Sequence, residues 1–272
     1  MSGCMAVTHD GLGHIGSMSG LQGLRLHGMP LTDESMTEIS RLQDLEWLSI
    51  YADPGNIAAV QVSDAGVAQL GHLQNLTSLS LAGAAISNEV SSTLRGLASL
   101  ERLSFYCTSV TPGGLFELCR AIPECKIEGT NYLEQEGHFD IGIAPGGSVV
   151  RINGDLADSD YEKLAQLMTL NELALPSSIS DPILEIVSNI ETLESLSLPH
   201  CRAITNAGIG HIAGINGLKK LNLWYCRGLD AGCVQHLATM TNLEELTLGG
   251  TKLDEAARNQ LRTALPNCEI KH

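Results

Sequence analysis

Apolar residues recur along this chain in pairs two positions apart, at a nearly constant interval. Leu24 and Leu26, Leu48 and Ile50, Leu79 and Leu81, Leu103 and Phe105, Cys125 and Ile127, and Val150 and Ile152 form the first part of the series. Leu173 and Leu175, Leu196 and Leu198, Leu221 and Leu223, Leu246 and Leu248, and Cys268 and Ile270 complete it. Measured on the second member, the steps are 24, 31, 24, 22, 25, 23, 23, 25, 25 and 22 residues. Two apolar residues separated by one polar residue share a face of a β-strand. Repetition at such a period predicts strands stacked side by side, each covering its neighbour's apolar face.

Between the pairs lies a second signal. Leu31-Thr32-Asp33, Val62-Ser63-Asp64, Ile86-Ser87-Asn88, Val110-Thr111-Pro112, Ile179-Ser180-Asp181, Ile204-Thr205-Asn206 and Leu229-Asp230 each give an apolar anchor followed by a residue able to cap a helix. Apolar residues then follow at helical spacing, as in Val67, Leu70 and Leu73, or Ile209, Ile212 and Ile215. Strand, turn and short helix are the predicted unit. The long step of 31 holds an insertion, residues 53–59, whose Pro54-Gly55 predicts a loop at one edge of the sheet.

The middle is irregular. Residues 118–127 and 261–270 resemble each other, sharing Leu, Ala, Pro, Cys and a final Ile, so a motif that ends an array occurs twice. From residue 128 to 149 the capping and helical signals are missing, and Gly142, Pro145, Gly146 and Gly147 interrupt the chain. Ile127 to Ile152 is still one ordinary period. The expectation is a single domain over 1–272, with an irregular repeat at 128–149 separating similar half-arrays, 1–127 and 150–272. Two abutting half-arrays are the alternative.

Leu218, Leu221 and Leu223 returning as Leu243, Leu246 and Leu248 spell L-x-x-L-x-L. On this motif the chain resembles the leucine-rich-repeat superfamily over almost its whole length. The resemblance implies an α/β fold, a right-handed leucine-rich-repeat solenoid or horseshoe, with a concave parallel sheet of about eleven short strands and short convex helices. Val62-Ser63-Asp64-Ala65-Gly66-Val67 and Ile204-Thr205-Asn206-Ala207-Gly208-Ile209 look like the helix start of the cysteine-containing subfamily, known from substrate receptors of F-box ubiquitin ligases, and of bacterial stand-alone repeat proteins. Cys201 and Cys226 match that subfamily's cysteine position, whereas Thr108, Ser178 and Thr251 occupy it elsewhere. The lack of an F-box-like helical segment before the repeats favours the bacterial stand-alone type.

Composition narrows the function. The 272 residues carry a net charge of −15, which opposes nucleic-acid binding because a cationic surface is needed there. No apolar run reaches membrane-spanning length, and the N-terminus shows no secretory signal, so a cytoplasmic, non-membrane protein is expected. The eight cysteines lack the spacing of a disulfide-capped solenoid, which points to a reducing compartment. Asn75-Leu76-Thr77 fits a glycosylation sequon but falls inside a core repeat.

The sequence carries no recognisable catalytic motif. Cys201 and Cys226 beside His200 could form a metal or redox site, but read better as cysteines bonding to loop backbone. Cys107 with His72 or His138 could be nucleophile and base, though nothing in their spacing brings them together. No phosphate loop, zinc-protease or serine-hydrolase motif occurs. No catalytic residue, metal or cofactor is expected.

Strand residues that flank the inward pairs or lie between them should point outward. Those positions hold six basic and five acidic residues, a net +1 against −15 overall. They also hold Trp47, Tyr51, Tyr106 and Trp224, in a chain with ten aromatics. The candidate binding residues are Trp47, Tyr51, Arg102 and Tyr106 in one cluster, Lys220, Asn222, Trp224 and Tyr225 in another, and Arg151. Trp, Tyr and Arg dominate binding hot spots. The expected function is a non-catalytic scaffold binding a protein or peptide partner, with a monomer as the default. The alternatives are a substrate-receptor or effector subunit of a ligase-like complex and, remotely, an enzyme with an unrecognised site.

Overall fold

A computed structural model describes residues 9–52, 56–83, 85–131 and 139–271. It divides into two compact units, Met1–Gly146 and Gly147–His272. Each is a ladder of short strands alternating with turns and short helices. This is the α/β leucine-rich-repeat arrangement.

In the first unit the ladder runs β1 (Gly23–His27), β2 (Trp47–Tyr51), β3 (Ser78–Ala82), β4 (Arg102–Tyr106), β5 (Lys126–Asn131) and β6 (Phe139–Ile143). The first five are parallel, and Leu24, Leu48, Leu79, Leu103 and Ile127 align across them. The second unit carries β7 (Val149–Gly154), β8 (Glu172–Ala174), β9 (Ser195–Ser197), β10 (Lys220–Asn222), β11 (Glu245–Thr247) and β12 (Glu269–Lys271). All pair in parallel, with Val150, Leu173, Leu196, Leu221, Leu246 and Ile270 in one row. Apart from Ile270, which is partly exposed at the end of its ladder, these residues are buried. No described helix is long and apolar enough to cross a membrane.

Two features depart from the sequence expectation. Ile127 aligns with Leu103 and Ile270 with Leu246, so each is the first inward residue of its strand and not the second. Cys125 instead closes the turn after the helix Pro112–Ala121, its N–H donating to the Ile122 carbonyl at 3.0 Å, and is buried there. The second departure is β6, a twelfth ladder strand, which pairs antiparallel with β5 through Ile127–Ile143, Gly129–Ile141 and Asn131–Phe139. It occupies the stretch where a helix would otherwise return the chain. Of the insertion, Asp53, Pro54 and Gly55 lie outside the described residues. Ile57–Ala59 forms a 3-10 turn leading into Val60–Gln61, which pairs with Leu31–Thr32 beside the ladder.

The capping residues do more than start helices. The Asp33 carboxylate accepts the Ser63 N–H at 2.8 Å and the Ser63 hydroxyl at 2.6 Å, while Ser63 Oγ accepts the Ala65 N–H. Asp64 holds Ser87, and Asp181 holds Thr205, at the same distances. Each acid thus fixes the cap of the next repeat. Gly66 and Gly208 make room for this: a Cβ on either would lie 2.3 or 2.2 Å from the acid of the preceding repeat. Asp33→Ala is therefore expected to cost about 2 kcal/mol, the loss of two charge-assisted bonds in a partly buried setting. Urea unfolding followed by circular dichroism measures it.

Candidate functional site

In the first unit, alternation carries Arg25, Trp47, Ser49, Ser78, Ser80 and Arg102 to the outward face of neighbouring strands. Trp47 stands between Gly23 and Ser78, Ser49 between Arg25 and Ser80, and Ser78 beside Arg102. These residues, with Glu46, Tyr51 and Thr77, line a hollow of about 400 Å³. Trp47 and Tyr51 remain 40% and 37% exposed. The Trp47 indole lies over Gly23, where a Cβ would fall 2.1 Å from the ring, and the Arg25 guanidinium sits 6.0 Å from its centroid.

Ser49 breaks the alternation. It belongs to the outward row yet is only 6% exposed, and its hydroxyl has no hydrogen-bond partner among the described residues. Trp47 and Tyr51 flank it on the same strand face. Glu46 accepts a bond from the Gln22 amide at 2.8 Å. Neither Arg25 nor Arg102 forms an ion pair among the described residues. Tyr106 lies on the same strand as Arg102 but does not line this hollow.

The second unit is organised differently. Two residues after the second inward position, the chain turns through positive φ: glycine does so at 28, 83, 154 and 250. At the same place in other repeats stand Cys107, His200 and Tyr225, with φ of 49°, 62° and 59°. A bulky residue held there carries a strain of about 1–2 kcal/mol. This turn explains why Tyr225, which strict alternation would send away from Trp224, joins it. Their rings meet edge to face at 4.7 Å, His200 stacks on Tyr225 at 5.2 Å and meets Trp224 at 4.9 Å, and Arg227 lies 5.4 Å from the Tyr225 ring. A Cβ on Gly250 would fall 2.6 Å from Tyr225, so the ring also covers the next repeat.

Asn222 ties this cluster to the ladder, accepting the Trp224 N–H at 3.0 Å and donating to Ser197 Oγ at 3.2 Å. Trp224 is 43% exposed. Lys220 stands at the opposite end of β10, between Ser195 and Glu245, outside the ring cluster. Arg151 is paired with Glu172 at 3.9 Å. Lys271 bonds Glu245 at 2.8 Å, which lowers the Glu245 carboxyl and raises the Lys271 ammonium from their ordinary values. Charges on this unit's outward face largely neutralise one another. His200, Arg227 and Ser49 escaped the sequence reading as binding residues, and only the glycine at equivalent turns could have drawn notice to His200.

Among the described residues the cysteines do not assemble a reactive centre. Cys201 and Cys226 are fully buried and their thiols donate to the Pro176 and Leu198 carbonyls at 3.5 and 3.0 Å. The hydrogen bond with Cys226 and burial together push the Cys201 thiol up. Burial raises Cys119 to about 11 and Cys125 and Cys233 to about 12. His72 Nε2 donates to the Ser40 carbonyl at 3.0 Å, and Cys107 is buried. His138 lies outside the described residues. Among those described, no three His, Cys, Asp or Glu side chains group as a metal would require.

No protein-family model and no curated protein matches the chain. Among solved structures it is similar to a leucine-rich-repeat protein of Leptospira interrogans, 16% identical over 95% of this chain and 91% of that one, with a TM-score of 0.39. It is also similar to two Listeria monocytogenes proteins. Internalin C2 is 17% identical over 97% and 84% of the chains with a TM-score of 0.30, and internalin F 14% identical over 97% and 88% with 0.34. At such scores these likenesses carry no argument about function.

Proposed function

We propose that this chain is a non-catalytic scaffold that captures a protein or peptide partner on the outward face of its strands. The observation that carries this reading is the ring cluster of the second unit. His200 and Tyr225 occupy turns where other repeats place glycine, so the fold gives up backbone comfort to hold aromatic surface together. Clustered Trp, Tyr and Arg are the side chains from which binding hot spots are built. The first unit supplies a second aromatic and cationic surface at Trp47, Tyr51 and Arg102.

Affinity capture from native host extract, with wild type beside a Trp47→Ala/Trp224→Ala variant, tests the scaffold reading. The expected result is at least one specific partner retained by wild type and lost by the variant, while the variant's circular dichroism is unchanged. Equal capture by both proteins sinks the assignment to this face.

A further inference from the structure

We infer that the hollow of the first unit binds the carboxylate of an acidic peptide segment. This deepens the scaffold reading and rests on it. Three observations converge. First, Arg25 and Arg102 present exposed guanidiniums without an ion pair among the described residues, in a chain whose overall charge is −15. The surrounding excess of acid makes uncommitted cations conspicuous, and the second unit shows how the same ladder pairs them when they serve the fold, as in Arg151–Glu172 and Lys271–Glu245.

Second, Ser49 lines this hollow, and its hydroxyl, in a residue more than nine-tenths buried, has no hydrogen-bond partner among the described residues. A buried hydroxyl left unpaired is costly, and an incoming acceptor oxygen would satisfy it. Third, the rings of Trp47 and Tyr51 stand on either side of Ser49 along β2, offering apolar walls to the rest of the bound segment. Arg25 on the strand beside Ser49 and the serine itself match a carboxylate, which accepts several bonds at once, and Arg102, two strands from Ser49 on the other side, adds positive charge at the far end of the hollow. Glu46, the one acid in the lining, is engaged by Gln22 and sets a limit to how many acidic groups the hollow takes. A segment with one seated carboxylate flanked by apolar residues fits better than a continuous acidic run.

The test uses the full chain and short fluorescein-labelled peptides of one neutral background that carry glutamate, glutamine or phosphoserine at the same position. Fluorescence anisotropy at low and high salt reads binding. The glutamate peptide is expected to bind, the glutamine peptide to bind at least about tenfold more weakly, and salt to weaken the glutamate peptide. Arg25→Gln/Arg102→Gln should abolish the preference for glutamate. Ser49→Ala should weaken glutamate binding while raising the melting temperature, because it removes an unpaired buried group; a purely structural serine would leave binding unmoved. Equal affinity for glutamate and glutamine, tight binding of the phosphoserine peptide alone, or no binding of any peptide overturns the inference. Each of these leaves the capture experiment above free to support the wider reading on its own.

Discussion

Leu221→Ala is expected to destabilise the second unit by about 3–4 kcal/mol, whereas Trp224→Ala, three residues along, changes stability by no more than about 1 kcal/mol. Leu221 is 1% exposed and sits in the inward row between Leu196 and Leu246. Removing its side chain leaves a cavity that neighbouring repeats cannot close without shifting the ladder, and the lost transfer energy adds to the cavity term. Trp224 follows the same strand but faces the other way, 43% exposed, its ring set against those of His200 and Tyr225. Denaturant unfolding of both variants measures the contrast. In a repeat array, where each unit leans on its neighbours, the Leu221 cost should appear as a lower midpoint of the whole second unit.

Gly228→Ala is expected to cost at least about 3 kcal/mol, through overcrowding of backbone that cannot yield. An added Cβ would fall 2.1 Å from the Ile204 carbonyl oxygen and 3.2 Å from that of Arg202. Unlike the glycines that face flexible carboxylates, Gly228 meets main chain of the preceding repeat. Relief requires separating two adjacent turns next to the Cys226 thiol, whose bond to the Leu198 carbonyl crosses the same junction. Thermal unfolding detects the loss, and faster amide exchange around Ile204 would place it.

Much of the fold was legible because leucine pairs report burial directly, and burial is what stacks the repeats. The two-residue displacement at Ile127 and Ile270 was not legible, since Cys125 is as buried in its turn as a strand residue would be. Strand β6 was hidden for a related reason: a segment of one ordinary period can return as a strand or as a helix, and period alone does not choose. The outward residues divide similarly. Alternation placed Trp47, Tyr51 and Arg102 together, as β2 and β4 are regular strands. It failed at Ser49, where the large neighbours two positions away bury a residue that alternation exposes, and at Tyr225, where the strand has ended and a left-handed turn redirects the ring. Local rules lapse where the outward side chains are largest, which is also where the candidate surfaces lie.

The central claim is that the outward rings serve a partner and not the fold. Tyr225→Gly tests it most directly, because it removes a ring while restoring the residue that four other repeats use at that turn. Relief of the left-handed strain offsets the lost ring packing, so the melting temperature should stay within about 4 °C of wild type. Capture of the native partner should be lost. A melting temperature lowered well beyond that range, with capture intact, would show that the rings belong to the core of the ladder and would contradict the account.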